Sequence, residues 1–409
     1  MNSHLNTAHV KSAFGVIQGN PREGIVDLGP GYLDPALIPT GLIAKWSADA
    51  VERWGPHALA YGANAGPWEL RAKFAARVAP AGRTGRCGPE RVLITGGTSA
   101  ALDQLAMRFA REGRIVLTEA LTYDLGRMIF ADRGVRTIAV PGPFHDLDVA
   151  EFRKAAELAA PSSGMPPALY LIPTFHNPTG RVLSATRRLE ILAMAADTGS
   201  LIIEDLAYSE LAYESQPPPP MWSSAADPDQ VIALYSLAKC VAPGLRIGWL
   251  VGSERLVAEL ERSPVRASGG GPNHFTAMVV MAGLAGHQFD AHVSLVRDQL
   301  RLRRDSLLRA LIEQLPGGFT ISCPFGGFFA WVGLPAGVSD DALLRNAEGR
   351  GVSFAAGSRF GSSPGGVRLC FAGCGPEQLA LGVARFADAS GSAVHRGLRE
   401  TPCLRPDLR

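Results

Sequence analysis

The chain has 409 residues, 46% of them apolar and 19% charged, enough to bury the cores of two domains. Forty basic residues against 38 acidic ones leave a net charge of +2, so the overall charge carries no mark of nucleic-acid binding and a small-molecule partner is expected. No apolar run approaches bilayer length, residues 1–15 lack the basic-then-apolar pattern of a secretory leader, and no membrane association is expected. The six cysteines (Cys87, Cys240, Cys323, Cys370, Cys374 and Cys403) show neither zinc spacing nor a disulfide framework, which makes Cys370 and Cys374 expected free thiols and the cytoplasm the expected setting.

Residues 46–285 are expected to form a large domain, with residues 1–45 and 286–409 forming a smaller one that carries an N-terminal arm. Strand candidates lie at residues 91–95, 115–118, 137–140, 168–172, 201–204, 231–235 and 248–251. Most are β-branched or aliphatic without polar alternation, the pattern of strands covered on both faces in a mainly parallel sheet. Helices are predicted between them, at residues 99–111 and 185–198 among others, so the fold class is α/β. Residues 216–220 read as a stiff surface loop. Beyond a glycine-rich stretch at 268–272, helices are predicted over 275–285 and 292–315 and strands over 327–332, 352–354 and 367–371, a smaller α+β unit. The tail after Ser390 reads as mobile, and no internal repeat is visible.

The most informative segment is Ser236-Leu237-Ala238-Lys239, followed by Arg246. A lysine just past a buried strand sits where low dielectric disfavours its charged form, which frees the amine as a nucleophile for carbonyls. Arg246 and Ser236 supply a permanent charge and a hydroxyl for a phosphate. Thr98 and Ser99 open a predicted helix, where backbone amides meet anions. Singly, each residue has an ordinary reading: a surface lysine, a helix cap for Asp205, core aromatics for Tyr123 and Tyr208, a solvated strand-edge arginine for Arg368.

Their order along the chain resembles one family. Tyr61-Gly62 with Gly66 and Leu70-Arg71, Gly97-Thr98-Ser99, Asn177-Pro178-Thr179-Gly180, Asp205 with Tyr208, Lys239 with Arg246, and Arg368 resemble the motifs of class I/II aminotransferases, which are fold-type I enzymes dependent on pyridoxal phosphate (PLP). The likeness covers most of the chain, and Glu204-Asp205-Leu206-Ala207-Tyr208 is similar to the aminoadipate/kynurenine branch.

The resemblance implies a large domain with a mainly parallel seven-stranded sheet plus a smaller α+β domain, and transfer of an amino group between an amino acid and a 2-oxo acid in a ping-pong cycle. It implies PLP held covalently by Lys239, with Asp205 at the ring nitrogen, Asn177 and Tyr208 at the phenolic oxygen, and Tyr123 stacked on the ring. Lys239, Asp205 and Tyr208 would be the catalytic set. The phosphate would fall to Thr98, Ser99, Ser236 and Arg246, with Tyr61 reaching across a homodimer into the neighbouring site. Arg368, helped by Asn177 and backbone near Gly31, would grip the substrate carboxylate, and no metal is implied.

Ala100, Ala101 and the loop Gly29-Pro30-Gly31-Tyr32-Leu33 depart from the family pattern and leave substrate choice open, with Tyr32, Arg262, Arg266 and His274 as candidates for the side-chain pocket. The same scaffold hosts elimination, replacement, decarboxylation and oxidation. It also occurs in regulators behind a winged-helix module, for which the 60 residues before Tyr61 are too few and lack a basic recognition-helix pattern.

Overall fold

Six of the seven predicted strands of the large sheet carry almost wholly buried residues, which is what a sheet sandwiched between helices requires. The computed structural model describes residues 22–79, 87–143, 145–361, 365–391 and 403–404. The expected arm at the amino terminus and most of the tail after Ser390 lie outside the described residues.

The chain runs through β1 (Val26–Asp27), α1 (Thr40–Trp54), α2 (Trp68–Val78), β2 (Val92–Thr95), α3 (Thr98–Glu112), β3 (Val116–Glu119), α4 (Asp124–Asp132) and β4 (Thr137–Val140). It continues through α5 (Val149–Ser163), β5 (Ala168–Leu171), α6 (Ala185–Asp197), β6 (Leu201–Asp205), β7 (Val231–Ser236) and β8 (Gly248–Val251). These strands form one seven-stranded sheet in the order β2-β8-β7-β6-β5-β3-β4. Only β8 runs against its neighbours, so the carboxyl ends of the other six share one edge. In an open α/β sheet that edge is where ligands bind. The connecting helices start on side-chain caps where the sequence offers them: Asp148 accepts from the amides of Ala150 and Glu151, and Ser184 from that of Arg187.

After β8 come α7 (Glu254–Glu261), α8 (His274–Gly283), the 27-residue α9 (Gln288–Gln314), β9 (Thr320–Ser322), β10 (Phe329–Gly333), α10 (Asp340–Glu348), β11 (Val352–Ser353), β12 (Ala355–Ala356), β13 (Gly366–Cys370), α11 (Pro376–Gly391) and β14 (Cys403–Leu404). A five-stranded sheet, β12-β13-β10-β9-β14, and a parallel β1–β11 pair make the second layer.

Four expectations need correction. The run 352–354 is not one strand, because β11 pairs with β1 and β12 with β13, and Phe354 turns between the two sheets to pack edge-on against Phe386 at 5.3 Å. The long helix starts at Gln288 rather than His292, and the strand expected from Gly327 starts at Phe329 because Gly327 takes a left-handed φ of 77°. Cys323, beside the β9–β14 pairing, is disulfide-bonded, whereas Cys87, Cys240, Cys370 and Cys374 are free. Spacing along the chain carries no sign of a bridge created by tertiary pairing.

Phe289, Val293, Val296 and Leu300 of α9 pack into the large core, whereas Leu307 and Leu311 pack with Leu28, Phe319, Val332 and Phe386 in the second one. The helix thereby spans both layers. We propose the division at residues 45/46 and 285/286 as the domain boundary on this basis.

Candidate active site

Five of the aligned carboxyl ends deliver the predicted residues to one place. The turn after β7 carries Lys239, whose amine donates to the Gly31 carbonyl at 2.8 Å and lies 5.7 Å from the ring centres of both Tyr208 and Phe328. Burial, reinforced by Arg368 and Arg246 and opposed by Cys370 and Asp205, pulls its pKa down to about 8. A substantial neutral fraction therefore exists near physiological pH, the form that attacks a carbonyl.

Asp205 closes β6 with 4% of its surface exposed. Its Oδ2 accepts from the Tyr170 hydroxyl at 2.9 Å and its Oδ1 from the Ala207 amide at 3.1 Å. Burial pushes the carboxyl up, while those two bonds and the charge of Lys239 pull it back. Its neighbour Glu204 points to the opposite face, as strand alternation demands, and is held there by the amides of Met221 and Trp222.

Arg368 projects from β13. Its guanidinium lies between the rings of Phe329, 4.2 Å away, and Phe360, 4.7 Å away. It donates to Asn177 Oδ1 at 2.7 Å and to the Gly29 carbonyl, while its Nε is buried without a partner. Among the described residues no carboxylate pairs with it, and burial pulls its pKa down. A buried cation held only by carbonyls and π faces is an incomplete arrangement that an anion completes.

At the next strand end, Gly97 caps α3 with a φ of 95°. A Cβ there would stand 2.9 Å from the Arg246 guanidinium, so glycine suits both the conformation and the space. Arg246 itself adopts a left-handed φ of 51° and donates to the Gly96 carbonyl at 2.7 Å, backbone strain of the kind that gathers at functional turns. Thr98 and Ser99 form the first turn of α3, and Ser236, buried at the end of β7, accepts from the Ala238 amide. The result is an amide-rich, cationic cup without an acidic residue in the first helical turn. Tyr123, in the turn before α4, is paired with Ser99, and burial lifts its hydroxyl to about 12.

Two loops are stitched across this site. The Thr122 amide donates to the Phe360 carbonyl at 3.1 Å, Arg127 donates to the Arg359 carbonyl at 3.2 Å, and Arg359 pairs with Asp124.

The sequence reading missed Tyr170, the only described side chain bonded to Asp205, and the buried cluster behind Asn177 in which Glu119 pairs with Arg181 and His176. Alternation along β5 was the available signal for Tyr170, since it shares a strand face with Ala168 and Ile172. Nothing local could expose the Glu119 cluster, because Glu119 on β3 meets His176 and Arg181 of the loop after β5 only through the fold. Three candidates for the substrate pocket are engaged elsewhere: Arg266 holds the carbonyls of Asn64 and Ile94, Arg262 that of Ala258, and His274 that of His57. Tyr61 is 86% exposed, with its ring against Gly269.

The donor set fits PLP: an amine depressed in pKa, a buried carboxylate for a ring nitrogen, a cup for a phosphate, and an unpaired guanidinium for a carboxylate. The combination of this sheet and these groups defines a PLP-dependent transferase of fold type I. Residues 42–386 match the family described as aminotransferase class I and II, and the chain belongs to that family. It is 32% identical to the 2-aminoadipate transaminase of Thermus thermophilus over 90% of each chain. Among solved structures it resembles Pyrococcus horikoshii kynurenine aminotransferase in complex with PMP, with a TM-score of 0.82 and 27% identity over 91% of this chain and 92% of that one. It likewise resembles the Thermus thermophilus α-aminoadipate aminotransferase LysN complexed with N-(5'-phosphopyridoxyl)-L-leucine, with a TM-score of 0.80 and 30% identity over 90% and 92%. This chain is accordingly a PLP-dependent aminotransferase that moves an amino group between an amino acid and a 2-oxo acid.

Proposed function

We propose that Lys239, Asp205, Asn177, Tyr208, Tyr123, Thr98, Ser99, Ser236 and Arg246 hold PLP and that Arg368, with Asn177, binds the α-carboxylate of the amino donor and then of the 2-oxo acceptor. The observation that carries this is the buried Arg368 guanidinium, joined to Asn177 and free of any carboxylate partner among the described residues. PLP, when bound, supplies an aldehyde for a covalent link to amines and a ring that stores the electron pair released at the substrate α-carbon.

The chain's own groups do the rest. Arg368 and Asn177 orient the substrate so that its α-carbon faces Lys239. The Lys239 amine, neutral in part because its pKa is near 8, would be the base that takes the proton from the substrate α-carbon. Asp205, with one neutral donor on each oxygen, would face the ring nitrogen and hold a proton there. Asn177, through its Nδ2, and Tyr208 donate to the phenolic oxygen. Arg246 and the first turn of α3 anchor the phosphate, so that motion at the reacting end does not release the cofactor.

Homodimerisation with shared sites is part of the proposal. Its support is Tyr61, 86% exposed on a surface with Leu59 at 65% and Val265 at 64%, an aromatic available to a second copy. A cytoplasmic setting is the expected one and rests on four free thiols; the disulfide at Cys323 weighs against it, and trapping thiols during cell lysis distinguishes the two. No helix among the described residues is long and apolar enough to cross a membrane.

The test is a panel of amino acids presented singly to the PLP-loaded protein. A ping-pong aminotransferase releases one equivalent of 2-oxo acid per site before any acceptor is added, and a second 2-oxo acid restores the original absorbance. Release of ammonia, carbon dioxide or a side-chain fragment in place of that stoichiometry overturns the reading.

A further inference from the structure

Tyr170 sits within β5, wholly buried, and its hydroxyl reaches Asp205 Oδ2 at 2.9 Å from the neighbouring strand. Its ring packs edge-on against Phe130 at 5.8 Å. Gly126 of α4 leaves the space it needs, since a Cβ there would stand 3.1 Å from the Tyr170 oxygen and 3.1 Å from the Tyr123 ring. The only other described donor to Asp205 is the Ala207 amide, so each carboxylate oxygen has one neutral partner and no cation within ion-pair distance. Bonds of this kind decide whether a buried carboxylate stays ionised, because burial alone drives it neutral. Tyr170 remains a donor throughout, since burial raises its own pKa well above 10.

We propose that Tyr170 is a positioning residue that keeps Asp205 ionised and fixed in orientation, and thereby keeps the ring nitrogen of PLP protonated. The inference rests on the cofactor reading above. Tyr170 acts through Asp205 rather than on PLP. Without its hydroxyl, Oδ2 loses its donor and the carboxyl moves toward the neutral form, which cannot act as the anionic partner of a ring N–H. The phosphate cup is built on β7, α3 and Arg246, so it is untouched by the change.

The experiment loads wild type and Tyr170→Phe with PLP labelled with nitrogen-15 in the ring and records the ring nitrogen shift together with the PLP dissociation constant. The expected result is a protonated position for wild type, displacement toward the unprotonated position in Tyr170→Phe, and affinity weaker on the order of tenfold. In an Asp205→Asn background, Tyr170→Phe should change neither reading further, as a contact acting through Asp205 requires. A wild-type nitrogen shift in Tyr170→Phe overturns the proposal, even where the melting temperature falls, because that pattern belongs to a merely structural tyrosine. Should Tyr170→Phe fail to fold, 4-aminophenylalanine at this position keeps the shape but offers a much weaker donor; a nitrogen shift displaced toward the unprotonated position supports the proposal and a wild-type shift overturns it. Wild type that takes up no PLP defeats the cofactor reading itself, an outcome distinct from a loaded wild type and an indifferent variant.

Discussion

Arg368 Nη1 and Asn177 Oδ1 are 2.7 Å apart, which joins a strand of the smaller sheet to the loop after β5 and makes one unit of the two proposed carboxylate-binding side chains. Arg368→Gln removes the charge from this unit and leaves the phosphate cup alone. The expected outcome is a kcat/KM lower by roughly 30- to 1000-fold with PLP retention at the wild-type level. Arg246→Ala should show the reverse emphasis, losing PLP on dialysis. Steady-state kinetics and PLP titration of both variants check the assignment, and equal loss of PLP in both contradicts it.

Lys239 makes the apoprotein's stability depend on pH. Its pKa in the fold, pulled down by burial to about 8, lies below the 10.5 of an ordinary lysine. Between these values the unfolded chain binds the proton that the fold refuses, so stability rises with pH across that window, and below about 8 the cost is fully present. That cost is on the order of 3 kcal/mol. Lys239→Met apoprotein should therefore be the more stable protein at neutral pH, by a gap that narrows as the pH climbs toward 10.5. Denaturant melts along this range give the answer, and a gap independent of pH contradicts the argument.

Glu119 behaves in the opposite sense. Burial pushes its carboxyl up, but Arg181 and then His176 outweigh that and hold it at about 2. Its contribution to stability is complete above about 4.5 and disappears as the pH falls through about 2. Glu119→Gln leaves the buried Arg181 without its anion and should cost about 3–5 kcal/mol at neutral pH. Because His176 directly precedes Asn177, kcat should fall as well. A variant with wild-type melting temperature and turnover would show that the cluster neither holds the fold nor orients the loop.

Shared sites would reveal themselves by complementation. If the sites are shared as proposed, Tyr61→Ala and Lys239→Ala each remove one residue of a composite site, so, once each is shown to be impaired alone, mixing the two proteins under conditions of subunit exchange should regenerate some sites with both residues native. Activity well above that of either parent is expected. Mixtures that exchange, as mass spectrometry of labelled subunits reports, and yet stay inactive would place both residues in one chain's site.

The candidate site positions at the strand ends were legible through the family resemblance, and the runs of buried aliphatics placed each at a strand end: Thr98 after β2, Tyr123 after β3, Asn177 after β5, Asp205 on β6, Lys239 after β7. Arg368 was legible by resemblance, but its aromatic sandwich was not, since Phe329 and Phe360 reach it from other segments. The two-residue strands β1 and β12 escaped detection for a different reason, and β11 was read only as part of the longer run 352–354: runs that short have no period to read. Tyr170 looked like a core aromatic, and its hydroxyl gains a purpose only once β6 lies alongside.

The stitch between the Tyr123 loop and the Phe360 loop bears on how this enzyme could be retargeted. Phe360 flanks Arg368, its carbonyl is bonded to the Thr122 amide, and at Gly361 a Cβ would stand 1.9 Å from the Ala120 carbonyl oxygen. Insertions or substitutions in either loop would therefore move the wall beside the proposed cofactor ring and the wall beside the proposed carboxylate clamp together. Libraries that vary residues 120–127 and 357–361 jointly should yield altered donor preference at a higher frequency than libraries confined to one loop, whose members would have to break backbone bonds to gain room.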